Sequence, residues 1–321
     1  MRAALAGAPV DRAPAGFWGH DFTREWSAEG LAAAMLERFH RHDWDYMKVN
    51  PRATYYAEAW GCRYEPSGNA NDGPVTNAYV LKSAEDLSRV GRVSSSEGPF
   101  AEQLAALRLI GVGIGEADFI QTVFSPLSVV GRLAGGEVGA VRDWMEREPD
   151  RLDGALGAIA ETLAEYAAAC LDAGAAGIFF ATTEWATRNN LDAERYARFG
   201  RPYDLRVLEA VRVADFNVLH VCRGNNLLTE LLDYPVQAFN WADREAGNPS
   251  LAEVAARTDK AVMGGVAQAT IAQGVPDEVR AQVRAAIDST GGRRLLIAPG
   301  CSISPQTPEA NLRAAREALD A

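Results

Sequence analysis

Cysteine and histidine are both scarce: four of each occur in 321 residues. Four cysteines are too few for a disulfide scaffold, so Cys62, Cys170, Cys222 and Cys301 must each be core filler, metal ligand or nucleophile. No run of 18 or more apolar residues occurs, which excludes a spanning helix and gives no reason to expect a membrane partner. Asp11 and Arg12 interrupt the short Ala-rich patch at the N-terminus before any h-region forms, so a signal peptide is not expected. The cytoplasm, where disulfides are rare, is the expected location. Positive charge is also in short supply, with 32 Lys and Arg against 43 Asp and Glu and a net charge of −11. Binding to a phosphate backbone depends on Lys and Arg, so a nucleic-acid partner is not expected. No GxGxxG follows an early strand, which leaves a dinucleotide fold without its phosphate cradle. No Pro-, Gly- or Ser-rich linker and no internal repeat divides the chain, so residues 1–321 read as a single domain.

What the chain does have is a recurrence of short apolar runs. Eight candidate strands follow one another: Ala15–Trp18, Tyr46–Asn50, Asp118–Phe124, Gly177–Ala181, Phe216–Val221, Val236–Asn240, Ala261–Val266 and Leu295–Ala298. Several are continuous rather than alternating, such as GIFFA and RLLIA, as expected of parallel strands buried on both faces. Helical patterns lie between them. Ala28–Arg41 follows Ser27 as N-cap, and Leu152–Ala173 stops at Gly174. Asp204–Ala214, Leu227–Leu232, Ser250–Arg257 and Asp277–Ser289 follow, and Glu309–Leu319 closes the chain with Thr307 as N-cap and Pro308 at the first helical position. This alternation predicts a single (β/α)8 TIM-type barrel. Residues Gly61–Gly115 show no clean strand–helix pair and read as a long insertion after the second strand, with short helices at Ser83–Val90 and Pro99–Leu109.

The most informative residues are HVC at 220–222 and PGCS at 299–302. His220 and Cys222 are spaced i, i+2, so on a strand both point to the same side. They end the fifth predicted strand and Cys301 follows the eighth, so a barrel brings all three to its catalytic face. One imidazole and two thiolates suit zinc, and three protein ligands leave a fourth position open, as in catalytic sites. The alternative is that each cysteine is a small buried hydrophobe. Other polar residues lie near predicted strand ends. Glu184 and Asp243 are candidate acids for moving a thiol proton or orienting His220. His20, Lys48, Asn50, Arg52, Trp185, Asn240, Arg244 and Gln268 are candidate substrate contacts, with Arg52 suited to a carboxylate. Each could equally be a rim salt bridge or a loop cap. His40 and His42 end a helix and are expected at its last carbonyls. Cys62 and Cys170 are expected to pack in the core, as are most of Trp44, Tyr55, Tyr56 and Trp60.

Several stretches carry a family likeness: PAGFWGHDF near the start, HDWDYMKVNPRATYYAEAWG at 42–61, SPLSVVGRL at 125–133, GGVAQATIAQGVPDEVRAQV at 264–283 and the ending LLIAPGCSISPQTPEANLRA. Together they resemble the uroporphyrinogen-decarboxylase superfamily over nearly the whole chain. The departures from the decarboxylase itself are specific. Its Arg-rich motif is replaced by FWGHDFTREW, with no arginine before Arg24. Its catalytic Asp segment aligns with MKVNPRAT, where Arg52 follows Pro51, and its Gly-His turn corresponds to Gly300–Cys301. The resemblance is to the branch of corrinoid-linked thiol methyltransferases, and it implies His220, Cys222 and Cys301 as zinc ligands. It further implies methyl transfer to or from a small thiol or thioether through a zinc-bound thiolate. A methylcorrinoid would serve as co-substrate, on a corrinoid protein as partner. Two other readings remain at this level: a lyase or decarboxylase of a small acid on the same barrel, and a non-catalytic corrinoid- or metabolite-binding accessory protein.

Overall fold

The computed structural model describes residues 1–320. Nine strands form in chain order: β1 (Tyr46–Val49), β2 (Arg63–Glu65), β3 (Val75–Ala78), β4 (Asp118–Phe124), β5 (Gly177–Ala181), β6 (Val218–Val221), β7 (Ala238–Trp241), β8 (Ala261–Val266) and β9 (Leu295–Pro299). Seven of them make one parallel sheet in the order β1-β4-β5-β6-β7-β8-β9, and every residue in it is buried except Asp118. Burial on both faces explains the unbroken apolar runs, because the barrel interior covers one side and the helices the other.

The first expected strand, Ala15–Trp18, is not a regular strand. Its segment nevertheless occupies the gap between β9 and β1: Ile297 N–H donates to Pro14 O at 2.8 Å, Gly16 N–H to Ile297 O at 3.1 Å, and Asp45 N–H to Ala15 O at 2.9 Å. Proline removes one ladder donor. Gly16 lies so close to Tyr46 that a Cβ there would sit 2.7 Å from its ring. The segment therefore closes the barrel through single bridges rather than a continuous ladder. Asp45 latches it in place, accepting from Arg12 at 2.6 and 2.8 Å and from Ala15 N–H at 2.8 Å.

The helices follow the expected caps with small shifts. Ser27 Oγ accepts from Gly30 N–H at the start of Ala28–His42. The long helix spans Pro149–Asp172, and Gly174 beyond it takes φ 101°. The last helix spans Glu309–Glu317 with Pro308, not Thr307, as N-cap, because the Thr307 hydroxyl donates to Ser304 O instead. The segments expected to be helices at 83–90 and 227–232 are short 3-10 turns, Ala84–Arg89 and Leu228–Glu230. The stretch after β1 differs most from expectation. It holds a short helix, Tyr55–Ala59, the antiparallel hairpin β2–β3 and the 3-10 turn. The helix Gly98–Gly113 then packs so closely on Ala28–His42 that a Cβ at Gly113 would meet Leu36 at 2.5 Å. It is an ordinary barrel helix, so the inserted part ends before it. Cys62, Cys170, Trp44, Tyr55 and Tyr56 are core residues. No helix among the described residues is long and apolar enough to cross a membrane.

Candidate active site

The C-terminal ends of β6 and β9 bring His220, Cys222 and Cys301 together: one ligand atom from each lies within 4.8 Å of the others. His220 and Cys222 share a face of the same extended segment, and the turn Pro299–Gly300 turns Cys301 towards them. Glycine is required at position 300, because a Cβ would fall 2.5 Å from Ala242 Cα, which is backbone and cannot yield. The two Sγ atoms are 3.7 Å apart. The Cys222 thiol donates to Cys301 Sγ, which holds Cys301 well below the usual thiol range, with Lys48 acting in the same direction.

Asn240 fixes the histidine. Its Nδ2 donates to Met263 O at 2.8 Å and Pro299 O at 3.1 Å, so its Oδ1 must face His220 Nδ1, 2.6 Å away. An acceptor at that point demands a proton on Nδ1 and leaves the Nε2 lone pair free. Phe179 stacks on the ring at 4.9 Å between centroids. One neutral imidazole nitrogen and two sulfurs, with the tautomer already set, fit a zinc ion.

These three residues lie on a cavity of about 260 Å³. Lys48, Asn50, His20 and Glu184 of the sequence candidates also line it. Lys48 is buried, its Nζ 4.9 Å from the Phe179 ring centroid and 5.7 Å from that of Trp18. Burial pushes its pKa down to about 7. Asn50 Oδ1 accepts from Lys48 Nζ and from Ser302 Oγ at 3.1 Å, and its buried Nδ2 has no partner among the described residues. His20 Nδ1 is 2.8 Å from Glu25 Oε2, and its ring stacks on Phe22. Glu184 follows Thr183, a β-branched residue held at φ 47° whose hydroxyl bonds to Ser128 Oγ at 2.7 Å. Such strain persists only where the surroundings fix it.

Other candidates are placed elsewhere. Arg52 is buried against Glu58 at 2.8 Å and also pairs with Glu102 and Glu25 O, so no face is left for a substrate carboxylate. Trp185 is fully buried against Gly131, where a Cβ would meet the indole at 2.4 Å. Asn240 stands behind His220 rather than in the cavity. Asp243, Arg244 and Gln268 line a second hollow, of about 300 Å³, on the far side of Gly300. There Asp243 accepts from Gly265 N–H at 2.9 Å, and burial holds its carboxyl above the usual range. Arg244 donates to Gly265 O and Gln282 O, and Gln268 to Ser302 O. His40 reaches Gly113 O of a neighbouring helix, and His42 is buried on Trp44, so neither caps its own helix. Two charged residues of the cavity were not singled out from sequence, Arg132 and Arg223. Arg223 carries a signal, since it follows Cys222 at the end of β6. Arg132 sits inside a helix, Pro126–Leu133, and carries none.

The family model for uroporphyrinogen decarboxylase (URO-D) matches residues 1–321. The chain belongs to this family. Among its relatives is the methylcobamide:CoM methyltransferase MtbA of Methanosarcina acetivorans, 24% identical over 268 residues, which are 81% of this chain and 75% of that protein. A second is the methylcobamide:CoM methyltransferase MtaA of Methanosarcina barkeri, 23% identical over 339 aligned positions, 100% of this chain and 96% of that one. Among solved structures, a methyltransferase from Methanosarcina mazei superimposes with a TM-score of 0.85 at 23% identity, covering 99% of this chain and 96% of its own. A B12-independent methionine synthase from Shewanella sp. W3-18-1 reaches 0.61 at 14% identity, covering 97% and 92%. Both show the same fold.

Proposed function

We propose that this URO-D family protein is a zinc-dependent methyltransferase that moves a methyl group between a methylcorrinoid and a small thiol bearing an acidic group. The observation that carries the reading is the cluster His220, Cys222 and Cys301 at a cavity whose other charged walls are mostly cationic. Lys48, Arg132 and Arg223 line it, with Glu184 as the only carboxylate. The printed names of the relatives, methylcobamide:CoM methyltransferases, support both the reaction type and the corrinoid donor. A corrinoid protein is the proposed partner. A cavity of about 260 Å³ suits a small molecule.

His220, Cys222 and Cys301 would hold the zinc, and zinc there supplies the Lewis acidity that makes a thiol a thiolate at neutral pH. The rest falls to the protein's own side chains. Glu184 takes the thiol proton. Lys48, Arg132 and Arg223 hold the acidic end of the substrate, and the orphaned Nδ2–H of Asn50 donates to one of its oxygens. Fixing that end points the sulfur at the metal ligands and converts binding into orientation. In the transfer, the sulfur–carbon bond forms as the cobalt–carbon bond breaks, and that bond's electron pair stays with the corrinoid.

Methylcobalamin consumption, followed by its visible spectrum with a panel of thiols, tests this. Acidic thiols should be methylated faster than neutral ones of the same length, and Cys301→Ser should abolish both. No methylation of any thiol by zinc-loaded protein would overturn the reading.

A further inference from the structure

A separate cavity of about 200 Å³ lies between the helix Ala28–His42 and the segment that follows Cys301. Its walls carry three arginines and three acids, and the acids are already engaged. Asp21 accepts from Arg24 at 2.7 Å, Glu37 from Arg24 at 2.8 Å and from Arg41, and Glu309 lies 3.5 Å from His42. Arg38 is the exception. It makes no hydrogen bond or ion pair with any described residue, and its Nη1 is sealed from solvent beside Gly19, whose Cβ would fall 2.8 Å away. Arg52, an arginine of this chain that is buried outright, has two glutamates and a carbonyl as partners. A guanidinium cannot shed its proton to escape burial. Its charge must be met from outside the chain.

We propose that this cavity binds a small inorganic oxyanion of the phosphate or sulfate type, with Arg38 as its principal ligand and Arg24 and Arg41 beside it. The planar fork of Arg38 matches two oxygens of such an ion. A volume of about 200 Å³ has room for the anion but not for a nucleotide around it, so the ligand is the free ion. The site shares a wall with the metal cluster. Gly19 bridges Ile303, two residues beyond Cys301, and Ile303 N–H donates to Trp18 O at 2.9 Å. A bound anion therefore braces the strap that carries Cys301 against the outer helix.

Isothermal titration with inorganic phosphate, at constant ionic strength, tests the proposal on wild type, Arg38→Gln and Lys48→Met. One phosphate per chain should bind wild type and Lys48→Met alike, and about tenfold or more weakly to Arg38→Gln, the loss of one charge-assisted contact. Binding lost in Lys48→Met but kept in Arg38→Gln would place the anion in the catalytic cavity and overturn the proposal. So would an absence of binding to wild type. Should Arg38→Gln fail to fold, wild-type crystals soaked in selenate give an independent answer. Anomalous density on the Arg38 guanidinium supports the site, and its absence there refutes it.

Discussion

Replacing Asn240 by leucine should weaken zinc binding without touching a ligand. Asn240 makes three contacts: it accepts from His220 Nδ1 at 2.6 Å and donates to Met263 O and Pro299 O at 2.8 and 3.1 Å. Leucine has nearly the same volume but none of these groups. The imidazole is then free to carry its proton on Nε2, which withdraws the lone pair from the metal. Loss of such a partner typically costs about 10- to 100-fold in metal affinity. Each carbonyl left unpaired adds about 1–3 kcal/mol of instability. Aspartate separates the two effects. Asn240→Asp still accepts from Nδ1–H but cannot donate to either carbonyl, so zinc affinity should stay close to wild type while the unfolding midpoint falls. Competition with a chelating chromophore reads affinity, and urea unfolding reads stability. Wild-type zinc affinity in Asn240→Leu would refute the claim that this amide sets the tautomer of His220.

Three further outcomes are expected. Cys222→Ser and Cys301→Ser should each lose zinc by elemental analysis with circular dichroism unchanged, because buried strand and helix faces, not a rim metal, hold the barrel; full occupancy in either would exclude this ligand set. Arg223→Gln should raise KM for an acidic thiol by about tenfold with kcat little changed, the signature of lost ground-state binding, while KM for a neutral thiol stays put; equal effects on both thiols would remove Arg223 from substrate recognition. Asp204, fully buried beneath the hydroxyls of Tyr196 and Tyr234 at 2.8 and 2.9 Å, has its carboxyl pushed up to about 7 by burial. A raised carboxyl favours folding below its unfolded value of 3.8, and that contribution, about 4 kcal/mol at most, is lost as pH rises through about 7. Asp204→Asn should therefore gain on wild type in urea unfolding between about pH 4 and pH 8, and a pH-independent difference would show that Asp204 does not titrate there.

The grouping of His220, Cys222 and Cys301 was legible because its geometry is short-range. A spacing of i, i+2 on a strand puts His220 and Cys222 on one side whatever the rest of the chain does, and counting strands suffices to bring Cys301 to the same end. The strand runs themselves were readable for a related reason: residues buried on both faces leave no polar alternation to misinterpret. The first barrel segment was not readable in this way. Ala15–Trp18 looks like a strand by composition, yet Pro14 and Gly16 deny it a ladder. The inserted region was harder still, since its hairpin pairs only locally and its exposed strands carry no apolar pattern.

Residues around the cluster depend on partners distant in sequence, and there position at a strand end was a poor guide. Arg52 stands at the mouth of the barrel in sequence, but Glu102, fifty residues away, claims it. Asp243 follows β7 as Glu184 follows β5, yet Gly265 N–H draws Asp243 to the far side of Gly300 while the strained Thr183 turn leaves Glu184 in the cavity. Net charge is equally uninformative about the cavity. A total of −11 sums the whole chain, whereas the lysine, arginines and glutamate on the cavity are Lys48, Arg132, Arg223 and Glu184, and charge in an enclosed space acts most strongly on what enters it. The two parts of the site are thus specified independently. On the proposed function, a chain could keep HxC and PGC, and with them the metal chemistry, while exchanging Arg132 and Arg223 for other side chains and so accept a different thiol. On the reading proposed here, the cationic wall rather than the metal triad is where relatives of different substrate preference should differ.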